Sequence, residues 1–322
     1  MSSSFFATDT IPSSLWDAAP PQVPTIHSKA LRLPRMLIDV YGELLDELGI
    51  RADAENQSPN DEGAQGGITE AETNRHFSRN FSGSCARVQF VALDPKEVFK
   101  TTRNSFTKMF SGGHLHILDI PCGAGAAGAT LLCLAAELRK EGVLPSQPII
   151  VSIVGGDISK PAQKIKRRLY RKLVPLLKDY GIRVAPTVLD WDIEDEEQTT
   201  ELITRWVRAA NHRAATAALA VNFSGFLHSK VKDCKSQLRE ILRYAKAQKS
   251  TMFWVEPTTN AAIDSLFPSL NTHVLSRVQK IKVIWPDYPR KGESPVVHPI
   301  QQNGWFMARS AALHLETERS QP

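Results

Sequence analysis

The chain has 322 residues, 42% of them hydrophobic, enough to bury one large core or one core with a small appendage. Its formal charge is +5 and its pI about 9.0, from 39 basic against 34 acidic residues, a mild excess that permits an anionic partner without demanding one. The four cysteines (Cys85, Cys122, Cys133, Cys234) form no C-x-x-C pair and no metal-ligand spacing, so they read as reduced thiols in a cytoplasmic protein with no metal.

The N-terminus, MSSSFFATDTIPSSLWDAAPP, lacks a basic n-region and a continuous apolar segment, which argues against a secretory signal. No apolar run approaches the roughly 20 residues that a membrane helix needs. Residues 1–30, rich in Ser, Pro and Ala, are expected to be a flexible arm. A helical extension follows over 31–109. In it, LPRMLIDVYGELLDELGI reads as a helix, because Met36, Leu37, Val40, Tyr41, Leu44, Leu45 and Leu48 form one apolar stripe. Pro34 suits its first turn and Gly49 its C-terminal cap. The glycine-bearing polar stretch at about 51–73 is expected to be a linker. NRHFSRNFSGSCARVQF mixes aromatics, Arg and Gly-Ser; it reads either as a lid or acceptor wall, or as a loop on which the N-terminal helix docks.

A ligand-binding domain is expected over 110–322, where strands alternate with helices. HLHILDI, PIIVSIVGGDI, RVAPTVLDWDI, AALAVNF and TMFWVEP are the strand candidates. ATLLCLAAELRKEG, KPAQKIKRRLYRKLVPLLKDYG, the segment opened by EDEEQ, and DCKSQLREILRYAKAQ are the helices between them. The terminal runs HVLSRVQKIKVIW and GWFMARSAALHL have no helix pattern between them, so they should pair antiparallel. The fold class is therefore α/β: a doubly wound, Rossmann-like, mainly parallel sheet, with a C-terminal antiparallel strand pair and a helical N-terminal extension.

In such sheets the ligand sits at the carboxyl ends of the strands. Residues there are Asp119 with the loop Gly123, Ala124, Gly125 and Gly128; then Asp157; then Asp190, Trp191 and Asp192; then Asn222 and Ser224. G-x-G spacing alone does not choose between nicotinamide, flavin and sulfonium cofactors. Charge is more informative. A diphosphate needs helix N-terminal amides free of nearby anions, and Asp119 lies four residues before Gly123. A carboxylate there suits a cationic group.

LDIPCGAGAAG resembles the first motif of class I S-adenosylmethionine-dependent methyltransferases, an acidic residue followed by a G-x-G loop. VGGDIS is similar to their second motif and VLDWD to their third, and the two terminal strands resemble that family's closing β-hairpin. The likeness spans roughly residues 110–315. It implies that Asp119 and the glycines hold the methionine end of S-adenosyl-L-methionine and that Asp157 accepts hydrogen bonds from both ribose hydroxyls. It further implies that Asp190 takes the adenine amino group, with Asp192 as the competing choice, and that Trp191 flanks the ring.

The fourth-strand segment VNFSGFLH departs from the Asn-Pro-Pro-aromatic motif of amino-methylating enzymes. No cysteine follows the fourth or fifth strand, which speaks against covalent attack on a pyrimidine. His228 or Ser224 is placed near the acceptor. A small-molecule acceptor is preferred to a polymer, since no appended nucleic-acid-binding domain is recognisable; an RNA acceptor stays open. A non-catalytic cofactor-binding or scaffold protein of the same fold is the second reading, and an NAD(P)-dependent oxidoreductase the third. The cations of KIKRRLYRKL read mostly as the solvated face of a helix whose Ile165, Leu169, Leu173, Leu176 and Tyr180 meet the sheet.

Overall fold

In a computed structural model, the structure describes residues 8–18, 29–55, 67–95, 97, 102–210, 216–222, 234–248, 250–257, 279–283 and 304–314. The strands are β1 (Trp16–Ala18), β2 (Lys29–Leu31), β3 (His114–Ile120), β4 (Ile149–Asp157), β5 (Ile182–Asp190), β6 (Thr216–Asn222), β7 (Thr251–Pro257), β8 (Gln279–Val283) and β9 (Gly304–His314). The helices are α1 (Arg35–Glu47), α2 (Arg51–Glu55), α3 (Glu70–Leu93), α4 (Thr102–Ser111), α5 (Ala126–Lys140), α6 (Lys160–Lys178), α7 (Glu196–Ala210) and α8 (Lys235–Ala247).

The strands form one sheet in the order β1-β2-β8-β9-β7-β6-β3-β4-β5. From β5 to β7 every pairing is parallel, and the chain order reverses between β3 and β6. That is the doubly wound order 3-2-1-4-5, counted from β3. Beyond it, β9 lies antiparallel between β7 and β8. The expected closing pair is present, and β9 joins it to the parallel part.

Period-two alternation sorts the strand residues between two cores. Leu115 and Ile117 of β3 enter a cluster with α1, α3, α4, α5 and α6. Leu118 and Ile120, with Val154 of β4, enter a second cluster with Trp206 and Leu202 of α7 and Leu238 and Ile241 of α8. Helices thus cover both faces, which is why β3 and β4 read as continuous apolar runs.

Three sequence expectations are revised. Within residues 1–30, Trp16–Ala18 pairs with Lys29–Leu31, and Leu31 bridges to Val283, so part of the expected arm forms the edge of the sheet. The 51–73 stretch holds α2 and the start of α3. The lid or docking loop is instead the 24-residue helix α3, opened by a capping box in which Thr69 accepts from Glu72 N and Glu72 accepts from Thr69 N. Phe77, Phe81, Cys85 and Val88 recur at helical spacing and are buried. Tyr41 ties α1 to α3: its hydroxyl donates to the Phe77 and Ser78 carbonyls at 3.1 and 2.8 Å, and its ring stacks on Phe81.

No helix among the described residues is long and apolar enough to cross a membrane.

Candidate functional site at the carboxyl edge

The loop leaving β3 is shaped by two left-handed glycines, Gly123 (φ 47°) and Gly125 (φ 93°), a conformation that strains residues with a Cβ. It leans on β4 through Cys122 N donating to Gly156 O at 2.8 Å. It also meets the carboxylate ending that strand: Gly123 N donates to Asp157 Oδ2 at 2.6 Å. Asp157 Oδ1 accepts from Ser159 N at 2.8 Å. Burial raises the Asp157 pKa, and the amides of Ser159 and Gly123 oppose that rise. Each carboxylate oxygen has two acceptor positions, so both can still accept a ligand hydroxyl.

Asp119 is placed differently from the sequence expectation. Its Oδ2 accepts from Lys166 Nζ of α6 at 2.7 Å, and both side chains are out of water. Burial, the largest single effect, lowers the ammonium's pKa, but the Asp119 carboxylate and the Cys122 sulfur together outweigh it and hold Lys166 above its ordinary value. Burial also raises Asp119, by more than the lysine's pull lowers it. The expected carboxylate for a ligand's amino group is thus already matched by a cation from within the fold.

Gly128 lies inside α5. A methyl group there would meet Ile153 Cδ1, the Tyr170 hydroxyl (2.5 Å) and Asp119 Oδ2 (3.1 Å). Its absent side chain lets α5 approach β4 and α6, and the residue makes a helix–sheet contact beneath the loop. Ala124 packs against the first core, partly buried.

At the end of β5, Asp190 stands directly across from Asp157 in the strand register. Its carboxylate is more than half exposed, pairs with Lys160 and accepts from Gln163 Nε2 at 2.9 Å. Those two contacts hold its pKa below the usual carboxylate value. Trp191 turns into the second core, where it is 3% exposed and donates from Nε1 to Thr199 Oγ1 at 3.0 Å. Its Cβ lies under Gly156 rather than beside an open cleft. Asp192 takes Glu194 N at 3.0 Å in the turn that opens α7. The structure therefore brings together the glycine loop, Asp157 and Asp190, and turns Trp191 into the core. Asn222 ends β6, immediately after Val221, the partner of Ile120. Ser224 and His228 lie outside the described residues.

Sequence reasoning missed three residues here. Ile158, next to Asp157, is a large apolar side chain that is 50% exposed at the carboxyl edge. Gln163 links the ends of β4 and β5, donating from Nε2 to Asp157 O at 2.7 Å as well as to Asp190. Lys166 is hidden in sequence by the cations around it. Among the described residues, no cluster of His, Cys, Asp and Glu is arranged to hold a metal.

No family model matches the chain, and no curated protein matches it. Among solved structures, it is similar to a precorrin-6y C5,15-methyltransferase from Geobacter metallireducens at 9% identity, over 65% of this chain and 88% of that one, with a TM-score of 0.30. It is similar to a Listeria monocytogenes protein assigned provisionally to the class I S-adenosylmethionine-dependent methyltransferases at 10% identity, over 89% and 88%, with a TM-score of 0.31. A provisionally assigned methyltransferase from Thermobifida fusca matches at 15% identity, over 75% and 89%, with a TM-score of 0.26. Superpositions that loose carry no weight beside strand order and site geometry. By those two, the chain has a Rossmann-like α/β fold whose doubly wound sheet is closed by an antiparallel strand.

Proposed function

We propose that the protein is a methyltransferase that uses S-adenosyl-L-methionine, bound at the carboxyl ends of β3, β4 and β5. The observation that carries this reading is the meeting of Gly123 N with the buried Asp157 carboxylate, one strand from the switch point of a sheet closed by an antiparallel strand. Brought by the loop to the end of β4, that carboxylate suits a ribose diol, and the exposed Ile158 beside it offers an apolar face to a purine. When bound, the cofactor supplies an electrophilic methyl group on a sulfonium. The chain's own task is then to hold the ribose through Asp157 and to align donor and acceptor, which by itself lowers the barrier substantially. Asp190 is the adenine-side polar group in this reading, once Lys160 is displaced from it, and Asp192 is the alternative. Ser224 and His228 are assigned to the acceptor side; replacing His228 with Ala and finding unchanged turnover would remove it.

A dinucleotide remains the competing reading for one specific reason. The Lys166 ammonium neutralises Asp119, so the charge argument against a diphosphate at the loop loses its force. What opposes it is the sheet: the dinucleotide order 3-2-1-4-5-6 has no antiparallel strand after the fifth. Calorimetric titration with S-adenosylhomocysteine, and with NAD in parallel, separates the two. The expected result is micromolar binding of S-adenosylhomocysteine, lost in Asp157→Ala, and no NAD binding. Binding of NAD alone, or of neither ligand, overturns the proposal.

A further inference from the structure

The cations of α6 divide into two sets once the fold is formed. Lys166 is buried against Asp119, Lys160 pairs with Asp190, and Lys172 pairs with Glu43 and Glu47 of α1. Arg167 donates to Gln163 Oε1 and to the Val188 carbonyl. Lys164, Arg168 and Arg171 have no ion-pair partner among the described residues. At about 100° per residue, Lys164, Arg168 and Arg171 fall within an arc of about 60°, along about 10 Å of helix axis.

That stripe borders a groove of about 220 Å³ where α6 meets the C-terminal end of α1 and the first turns of α3. Leu48, Pro161 and Ile165 give it apolar lining, and Lys160, Lys164 and Arg168 stand around them. One carboxylate, Glu70, also lines it, against those three cations. An apolar pocket beside a row of cations, of which Lys164 and Arg168 have no ion-pair partner among the described residues, suits a ligand with flat apolar rings on a chain of phosphates.

We infer that this groove and the α6 stripe form a docking surface for single-stranded nucleic acid, with phosphates along Lys164, Arg168 and Arg171 and a base against Leu48 and Ile165. Lys164 and Arg168 lie one helical turn apart, about 6 Å, so two cations can serve neighbouring phosphates. A polyglutamate chain would meet the same charges but has no ring to fill the apolar pocket. The surface stands on these residues alone and does not depend on methyl transfer.

Fluorescence anisotropy with a fluorescein-labelled 12-nucleotide oligo(U), and with oligo(dT) of the same length, tests this without cofactor. The charge reversal Lys164→Glu with Arg168→Glu is compared with Arg205→Glu and Arg208→Glu on α7, an equal change in net charge across the sheet. The expected result is at least roughly tenfold weaker binding in the α6 variant and about twofold or less in the α7 variant, with the neutral Lys164→Gln, Arg168→Gln pair reducing the salt slope by about 1.4. Cross-linking of 4-thiouridine oligo(U) to the unaltered protein, mapped to peptides spanning 160–171, tests the site with no substitution. Equal losses in both variants, no binding of either oligonucleotide, cross-links confined to other segments, or equal competition by polyglutamate would each overturn the inference.

Discussion

Lys166 Nζ lies 2.7 Å from Asp119 Oδ2, and neither side chain is more than 1% exposed. The pair sits directly under the glycine loop: a methyl group at Gly155 would strike the ammonium, and one at Gly125 would stand 3.1 Å from Lys166 Cγ. The helix after β4 thereby holds the loop after β3 through one buried charge pair.

Removing one partner leaves the other charged and out of water, which is far more costly than losing a surface pair. Lys166→Met is expected to lower stability by about 3–5 kcal/mol in urea denaturation, and adding Asp119→Asn to recover a large part of that loss. A loss below about 1 kcal/mol for the single variant would mean that Asp119 is already neutral in the fold. The sign with pH is also defined. Because the folded lysine's pKa is raised, its contribution is full below the ordinary 10.5 and is lost as pH rises beyond it.

Two glycines inside helices should respond in opposite directions to alanine. Gly128 has Ile153, Tyr170 and Asp119 within contact of any added carbon, so Gly128→Ala is expected to cost about 1–3 kcal/mol by overpacking. Gly83, in the middle of α3, has nothing within 4 Å, so Gly83→Ala should gain about 0.5–1 kcal/mol from helix propensity. Thermal or urea melts of the two variants decide it; a destabilised Gly83→Ala would show that α3 is not helical there.

His76 on α3 provides a pH test. Burial, then the nearby Arg87 guanidinium, brings its pKa down to about 4 from an ordinary 6.5. A depressed folded pKa contributes stability that is full above 6.5 and is lost as pH falls towards 4. Between pH 7 and pH 5 the unaltered protein should lose on the order of 1–2 kcal/mol through this group, and His76→Gln should lose correspondingly less over the same interval. Identical pH slopes for the two proteins would mean that His76 stays solvated.

Much of the fold is legible in the sequence because its signals are local. The apolar runs of β3 and β4, the stripe of α1 and the strand character of β8 and β9 each follow from short-range periodicity. Helix α3 is legible in principle: Thr69 with Glu72 is a capping box, followed by Phe77, Phe81, Cys85 and Val88 at helical spacing. Its Ser, Asn and Gly residues obscure that pattern, because each is an indifferent or poor helix former whose state is decided by packing. In α6 the sequence pattern assigns Leu176 to the apolar face. Leu176 is in fact 40% exposed and Leu177 is buried in its place, a shift of one residue around the helix.

The sequence by itself determined that strands and helices alternate, that a glycine loop leaves β3, and that carboxylates end β3, β4 and β5, since backbone preference and hydrophobic period act over a few residues. Only the tertiary structure decided what those charges face. Lys166 and Lys164 are two residues apart in one basic run, yet a rotation of about 200° around the helix sends one to a buried carboxylate and leaves the other at the rim of a groove. Trp191 and Asp190 are adjacent, and one enters the core while the other stays at the edge. Residue type fixes charge and size; whether a charge is matched depends on elements distant in sequence, and Asp119 met its cation 47 positions away.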